Sequence, residues 1–142
     1  MATVVSATTR SISKYYGKQA GFISRASVLI RDALEAYQAG DYASALEFAY
    51  QAALRTAGAC VAGSAVANRR RRPSSAWAQL ELVDSRGGEW AAIFKPYSRM
   101  RSRAINGLET EVEPQMVAGL LELVEQFLDE VEGGVFAGAI AA

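Results

Sequence analysis

From Gly21 to Gln38 apolar side chains return every three or four positions: Phe22, Ala26, Leu29, Ala33 and Tyr37, with Ile30 and Leu34 widening the stripe. That period matches the turn of an α-helix with one face turned to a core. Gly40 ends this first helix, and Asp41 has the side-chain oxygen that an N-cap needs for the next. The second helix is predicted from Tyr42 to about Val66, roughly six to seven turns. Leu46, Ala49, Ala53, Ala57 and Cys60 line one side of it, with Tyr42, Ala45, Ala52 and Leu54 nearby. Small side chains on that face let neighbouring helices approach closely, so this helix is expected at the centre.

The pattern then breaks. Arg69, Arg70, Arg71 and Arg72 repel one another and Pro73 cannot continue a helix, which predicts a mobile loop. Ser74 or Ser75 is placed to cap a short third helix ending near Val83, with Trp77, Leu80, Leu82 and Val83 as its apolar edge. Gly87-Gly88 reads as a break, and a fourth helix is expected from Glu89 to Asn106-Gly107. Pro96 falls inside it, yet Trp90, Ile93, Phe94, Tyr97, Ala104 and Leu108 keep one phase across the proline, so a single kinked helix is predicted. Glu113-Pro114 opens the last helix, because a missing N–H is harmless in the first turn. Val117, Leu121, Val124, Leu128 and Val131 form its seam, backed by Leu120 and Phe127, with Glu122, Glu125, Asp129 and Glu130 assigned to the outer face. No stretch alternates as a strand does. The fold class is all-α: an up-and-down bundle of four long helices plus one short helix. Residues 1–19 read as an N-terminal extension, 20–132 as the bundle and 133–142 as a flexible C-terminal tail.

Composition narrows the chemistry. The chain of 142 residues contains no histidine and one cysteine, Cys60. Ser-His-Asp and Cys-His pairs, histidine-containing zinc sites and cysteine-rich metal sites are thereby excluded. No catalytic residue, metal site or cofactor is predicted: glycine-rich phosphate loops are absent, and the carboxylates fall on outward helix faces rather than in a paired site. Cys60 sits in an alanine-rich helical run and is expected to pack rather than react. There is no signal-like start and no apolar run of the roughly 20 residues that a membrane span requires. A cytoplasmic protein without a membrane partner is expected, and no sequence-specific DNA-binding motif is evident.

Charge is balanced overall but segregated. Residues 69–103 carry 9 basic and 3 acidic side chains, whereas residues 104–142 carry 8 acidic and no basic ones. The two regions can neutralise each other within a bundle or between two copies, or the basic one can meet an external polyanion. Lys95, Arg99 and Arg103 follow one another at four-residue intervals, and Asn106 falls within the same arc of roughly 80°. This is either a solvated face or a polyanion-binding stripe, and the arginines at 69–72 are further candidates. Arg101 instead projects into the apolar arc of Trp90, Phe94 and Tyr97. A guanidinium there has to find a carboxylate, a set of backbone carbonyls or an aromatic face.

Several stretches carry a family likeness. Residues 39–59, AGDYASALEFAYQAALRTAGA, resemble the second helix of actinobacterial proteins of the HEPN superfamily (higher eukaryote and prokaryote nucleotide-binding). Ser75-Ala-Trp77, Glu89-Trp-Ala-Ala-Ile-Phe94, Arg99-Met-Arg-Ser-Arg-Ala104 and Glu125-Gln-Phe-Leu-Asp-Glu-Val131 follow in the family's order. The resemblance spans about residues 20–132. It implies a four- to five-helix bundle, commonly a homodimer, many of whose relatives are ribonucleases with the active site at the dimer cleft. Their motif is an arginine followed four to six residues later by histidine. Its counterparts here are Arg99 or Arg101 with Asn106, a degenerate motif: asparagine forms hydrogen bonds but transfers no proton near neutral pH. The resemblance therefore implies a non-catalytic homodimer that binds RNA or nucleotide, with enzymatic activity by non-histidine chemistry as a lesser alternative. The stretch 39–49 is also similar to the helix junction of a tetratricopeptide repeat, which would make the chain a protein-interaction module or a structural protein. A second repeat at the 34-residue period is not evident.

Overall fold

The computed structural model describes the backbone of residues 7–107 and 111–134, and side chains from residue 17 onward within those ranges. Within them the chain forms five α-helices and no strand: α1 (Ala7–Gln38), α2 (Tyr42–Ala62), α3 (Ala76–Glu81), α4 (Ser85–Ile105) and α5 (Pro114–Glu132), with a 3-10 turn at Ala65–Asn68. The expected bundle of four long helices and one short one is what forms. The tail expected to be flexible lies outside the described residues from 135 on, as does Leu108 of the α4 stripe.

α2 is the central helix, packed against α1, α3, α4 and α5. Its alanines explain why. Ala45, Ala49, Ala52, Ala53, Ala57 and Ala59 are all fully buried, and they occupy more than one side of the cylinder. An alanine loses no side-chain entropy on burial and holds neighbours at a distance set almost by backbone alone. Thr56, buried among them, donates its hydroxyl to the Ala52 carbonyl at 2.8 Å, so its own polar group is not left unpaired.

The ends of the helices follow local chemistry. Gly40, at φ +80°, takes the left-handed conformation that closes α1, and the Asp41 N–H donates to the Ala36 carbonyl. Asp41 then caps α2 by accepting from the Ser44 N–H. α2 stops at Ala62 rather than Val66. The Gly63 N–H donates back to Ala59, and the Ser64 hydroxyl accepts from Val66 N–H while donating to Val61 C=O, which turns the chain into the 3-10 segment. Ser75 caps α3, as one of the two serines was expected to.

Four expectations need correction. α1 begins at Ala7, well before Gly21, where periodicity is too weak to show a helix. Gly87-Gly88 is not a break: Asp84 caps α4 by accepting from the Gly87 N–H at 2.8 Å, and both glycines lie in the first turn. Gly87 is there for closeness, since a Cβ on it would collide with the Leu80 carbonyl at the end of α3. Leu34, read as widening the α1 stripe, and Leu82, read in the apolar edge of α3, are 39% and 44% exposed; Leu82 falls just past the last residue of α3, as its C-cap. Glu130 is not merely an outer-face carboxylate. It holds Arg86 and the Trp90 indole across the α4–α5 contact. Pro96, by contrast, does sit inside one continuous α4.

α5 contributes the predicted seam. Val117, Leu120, Leu121, Val124, Phe127, Leu128 and Val131 are all buried. Phe127 meets Trp90 at 5.0 Å and Phe94 at 5.4 Å, and Phe94 stacks on Trp77 at 5.3 Å. This aromatic spine joins α3, α4 and α5, and it ends at α2 where the Trp77 indole N–H donates to the Tyr50 hydroxyl at 2.9 Å.

Candidate functional site

Tyr50 brings the spine to the one arginine that the sequence marks as unusual. The Arg101 guanidinium lies over the Tyr50 ring at 5.3 Å. It also donates from Nε and Nη2 to the two carboxylate oxygens of Glu47, at 2.7 and 2.9 Å. The carboxylate and the aromatic face that such a group requires are thus both supplied, from the same helix α2, one turn apart. Gln51, four residues on, donates to the Glu47 carboxylate at 2.7 Å and holds it in place. A planar two-bond pair of this kind fixes orientation as well as charge.

The pair is half-buried, and its electrostatics are self-contained. The bond from Arg101 holds the Glu47 carboxyl below the usual carboxylate value, against the opposing effect of burial. Glu47 in turn raises Arg101 above the ordinary guanidinium value. Both groups therefore stay ionised through the neutral range, and neither can act as a proton donor or acceptor there. The pair separates two shallow clefts. One, about 240 Å³, runs between the starts of α2 and the end of α4 and is bordered by Ser44, Ala104 and Ile105. The other, about 340 Å³, opens toward Phe22, Leu54 and Arg55.

The remaining sequence candidates divide by face. Arg101 and Asn106 are separated by about 140° around α4, whereas Arg99 and Asn106 share a face. Asn106 is the exposed C-cap of α4, and its N–H donates to the Ser102 carbonyl. Lys95, Arg99 and Arg103 are all exposed on the side of α4 away from Arg101. Lys95 forms an ion pair with Glu81 of α3, and Arg99 forms none among the described residues. Arg69, Arg70, Arg71 and Arg72 are exposed in the loop before α3. The structure brings together Arg101 with Glu47, Tyr50 and Gln51, and it does not bring Arg101 together with Asn106.

Glu47 and Tyr50 were not picked out from the sequence. Their signal is faint: a glutamate and a tyrosine on a small-residue helix, meaningful only once Arg101 is known to need partners. Cys60 is buried as expected, and its thiol is pushed up to about 12, by burial first and by the charge of Asp84 second. Among the described residues no group of three histidine, cysteine or acidic side chains is placed to hold a metal ion, and no helix is long and apolar enough to cross a membrane.

This arrangement sits in a recognisable sequence family. The family model of the SAV_6107-like HEPN proteins matches residues 36–132, about two-thirds of the chain. The chain belongs to that family. No curated protein and no solved structure matches it. The matched segment of this HEPN protein runs from the end of α1 to the last turn of α5, so it contains the whole Glu47–Arg101 pair and the aromatic spine. It also decides between the two readings of residues 39–49 in favour of HEPN over a tetratricopeptide hairpin.

Proposed function

We propose that this HEPN protein is a non-catalytic, cytoplasmic homodimer that binds RNA or nucleotide through the exposed basic face of α4 and the arginine loop. The observation that carries the reading is the state of Arg101. It is bonded to a carboxylate on its own chain, turned away from Asn106, in a protein with no histidine to move a proton. What remains available to a polyanion is the cationic surface, where Arg99 and Arg69 to Arg72 stand exposed. Such contacts hold phosphates without reading sequence.

Anisotropy of a fluorescein-labelled single-stranded RNA tests it. Affinity should fall steeply with salt, with a slope of about 0.7 per phosphate contact. Arg99→Ala with Arg103→Ala should weaken binding and flatten that slope. Absence of binding at low salt overturns the RNA half of the proposal. Cleavage of the same RNA, abolished by Arg101→Ala, overturns the non-catalytic half. A second reading, a protein-interaction module, is favoured by Ile105, which is 60% exposed at the rim of the α2–α4 cleft. One stoichiometric protein partner, captured by a chain that binds no RNA, would select it.

A further inference from the structure

Phe22 lies where α1 packs on α2, and it borders three clefts. It is half-buried, its ring seated on α2 at Gly58, where a Cβ would come within 2.9 Å of the ring edge. The glycine lets an aromatic ring approach the helix closely. On one side the ring borders a cleft of about 230 Å³ that reaches Lys18 and Arg72. On another it borders one of about 260 Å³ with Lys18, Arg25 and Arg55, and on the third the 340 Å³ cleft with Arg55 and Arg101. Lys18, Phe22 and Arg25 are spaced four and three residues apart and so share one face of α1.

These charges differ from those of the cations held at helix contacts. Arg86, Lys95 and Arg101 each have a carboxylate partner. Lys18, Arg25, Arg55 and Arg72 are exposed and form no ion pair among the described residues, and no acidic side chain lines any of the three clefts. Four cations from α1, α2 and the arginine loop, none ion-paired among the described residues, border the clefts beside one aromatic ring. Phosphate oxygens satisfy the cations, and a planar base satisfies the ring, which is the chemistry of single-strand binding platforms.

We infer that the Phe22 cleft is a nucleotide-binding subsite: Lys18, Arg25, Arg55 and Arg72 hold phosphates and the Phe22 ring carries a base. The inference rests on the reading of this protein as a binder of RNA or nucleotide, but it assigns the contact to a surface formed by α1 and α2 rather than to α4. The ligand is a nucleotide unit, either one residue of a single strand or a free nucleoside triphosphate.

The test uses the full chain with two probes, a fluorescein-labelled 12-nucleotide single-stranded RNA and a fluorescent ATP analogue, and inorganic tripolyphosphate as a competitor without a base. Arg25→Ala with Arg55→Ala, both on exposed side chains, should weaken the bound probe at least tenfold. Phe22→Leu, which keeps apolar volume against Gly58, should weaken it roughly fivefold while leaving inhibition by tripolyphosphate unchanged. Thermal melts of both variants confirm that they fold. RNA binding without ATP binding identifies a strand as the ligand, and binding of both identifies the nucleotide unit itself. If Arg25→Ala with Arg55→Ala leaves binding intact while Arg99→Ala with Arg103→Ala abolishes it, the subsite is overturned and the α4 reading stands. The reverse pattern supports the subsite and removes α4. If neither probe binds the unaltered protein, both fall.

Discussion

Glu47 lies in the second turn of α2, its carboxylate shared between Arg101 and Gln51. Because Arg101 lowers its pKa in the folded state, the stability it contributes is complete above its ordinary value near 4.5 and is lost as pH falls through the lower folded value. Glu47→Gln should cost about 1–2 kcal/mol at neutral pH by urea unfolding, since it leaves a half-buried guanidinium without its charge partner. The gap between the two proteins should narrow progressively once the pH drops below that ordinary value; a gap that stays constant would show that the pair is not the source. Cys60 makes the complementary case. With its thiol pushed up to about 12 inside an alanine-lined core, it should resist Ellman's reagent at pH 8 in the native state and react fully in urea.

At the scale of elements, the instructive junction is the start of α4. Two consecutive glycines look like a break, yet the Asp84 cap and the first-turn geometry carry the helix through them. They differ in surroundings: Gly87 faces the backbone of Leu80, whereas a Cβ on Gly88 would meet nothing within 4 Å. Gly87→Ala should therefore destabilise the fold by about 2 kcal/mol or more, through overpacking against a backbone that cannot yield. Gly88→Ala should stabilise it by about 0.5–1 kcal/mol, the usual difference between the two residues in a helix. Thermal or chemical melts of the pair check both signs, and equal effects from the two substitutions would contradict the packing described.

At the scale of the molecule, charge segregation is only partly spent inside the chain. Arg86 reaches from α4 to Glu130 on α5, but Glu122, Glu125 and Asp129 remain exposed along α5 while the arginine loop and the Phe22 cleft remain cationic. For the proposed homodimer this surplus gives opposite charges that two copies can bring together. Sedimentation equilibrium is expected to give twice the chain mass at low salt, with dissociation increasing as salt screens the surface charges. A monomer at every protein and salt concentration would remove the dimer from the proposal.

Helix number, the central place of α2 and the α5 seam were legible in the sequence, because apolar periodicity and residue size act locally and are read in one dimension. The cap at Asp41 was legible for the same reason, as was a serine cap on α3, at Ser74 or Ser75, and the demand that Arg101 find a partner. What periodicity could not supply was the partner itself. Glu47 is 54 positions away from Arg101, and only the packing of α4 on α2 brings the two together over Tyr50. The Phe22 cleft lay hidden for a like reason: its cations come from α1, α2 and a loop, and each alone resembles an ordinary solvated side chain. The sequence by itself determined that this protein is a helical bundle with no histidine chemistry. Tertiary structure decided which of its charges are neutralised and which are left facing solvent, because ion pairing depends on distances in space that the order of residues does not contain.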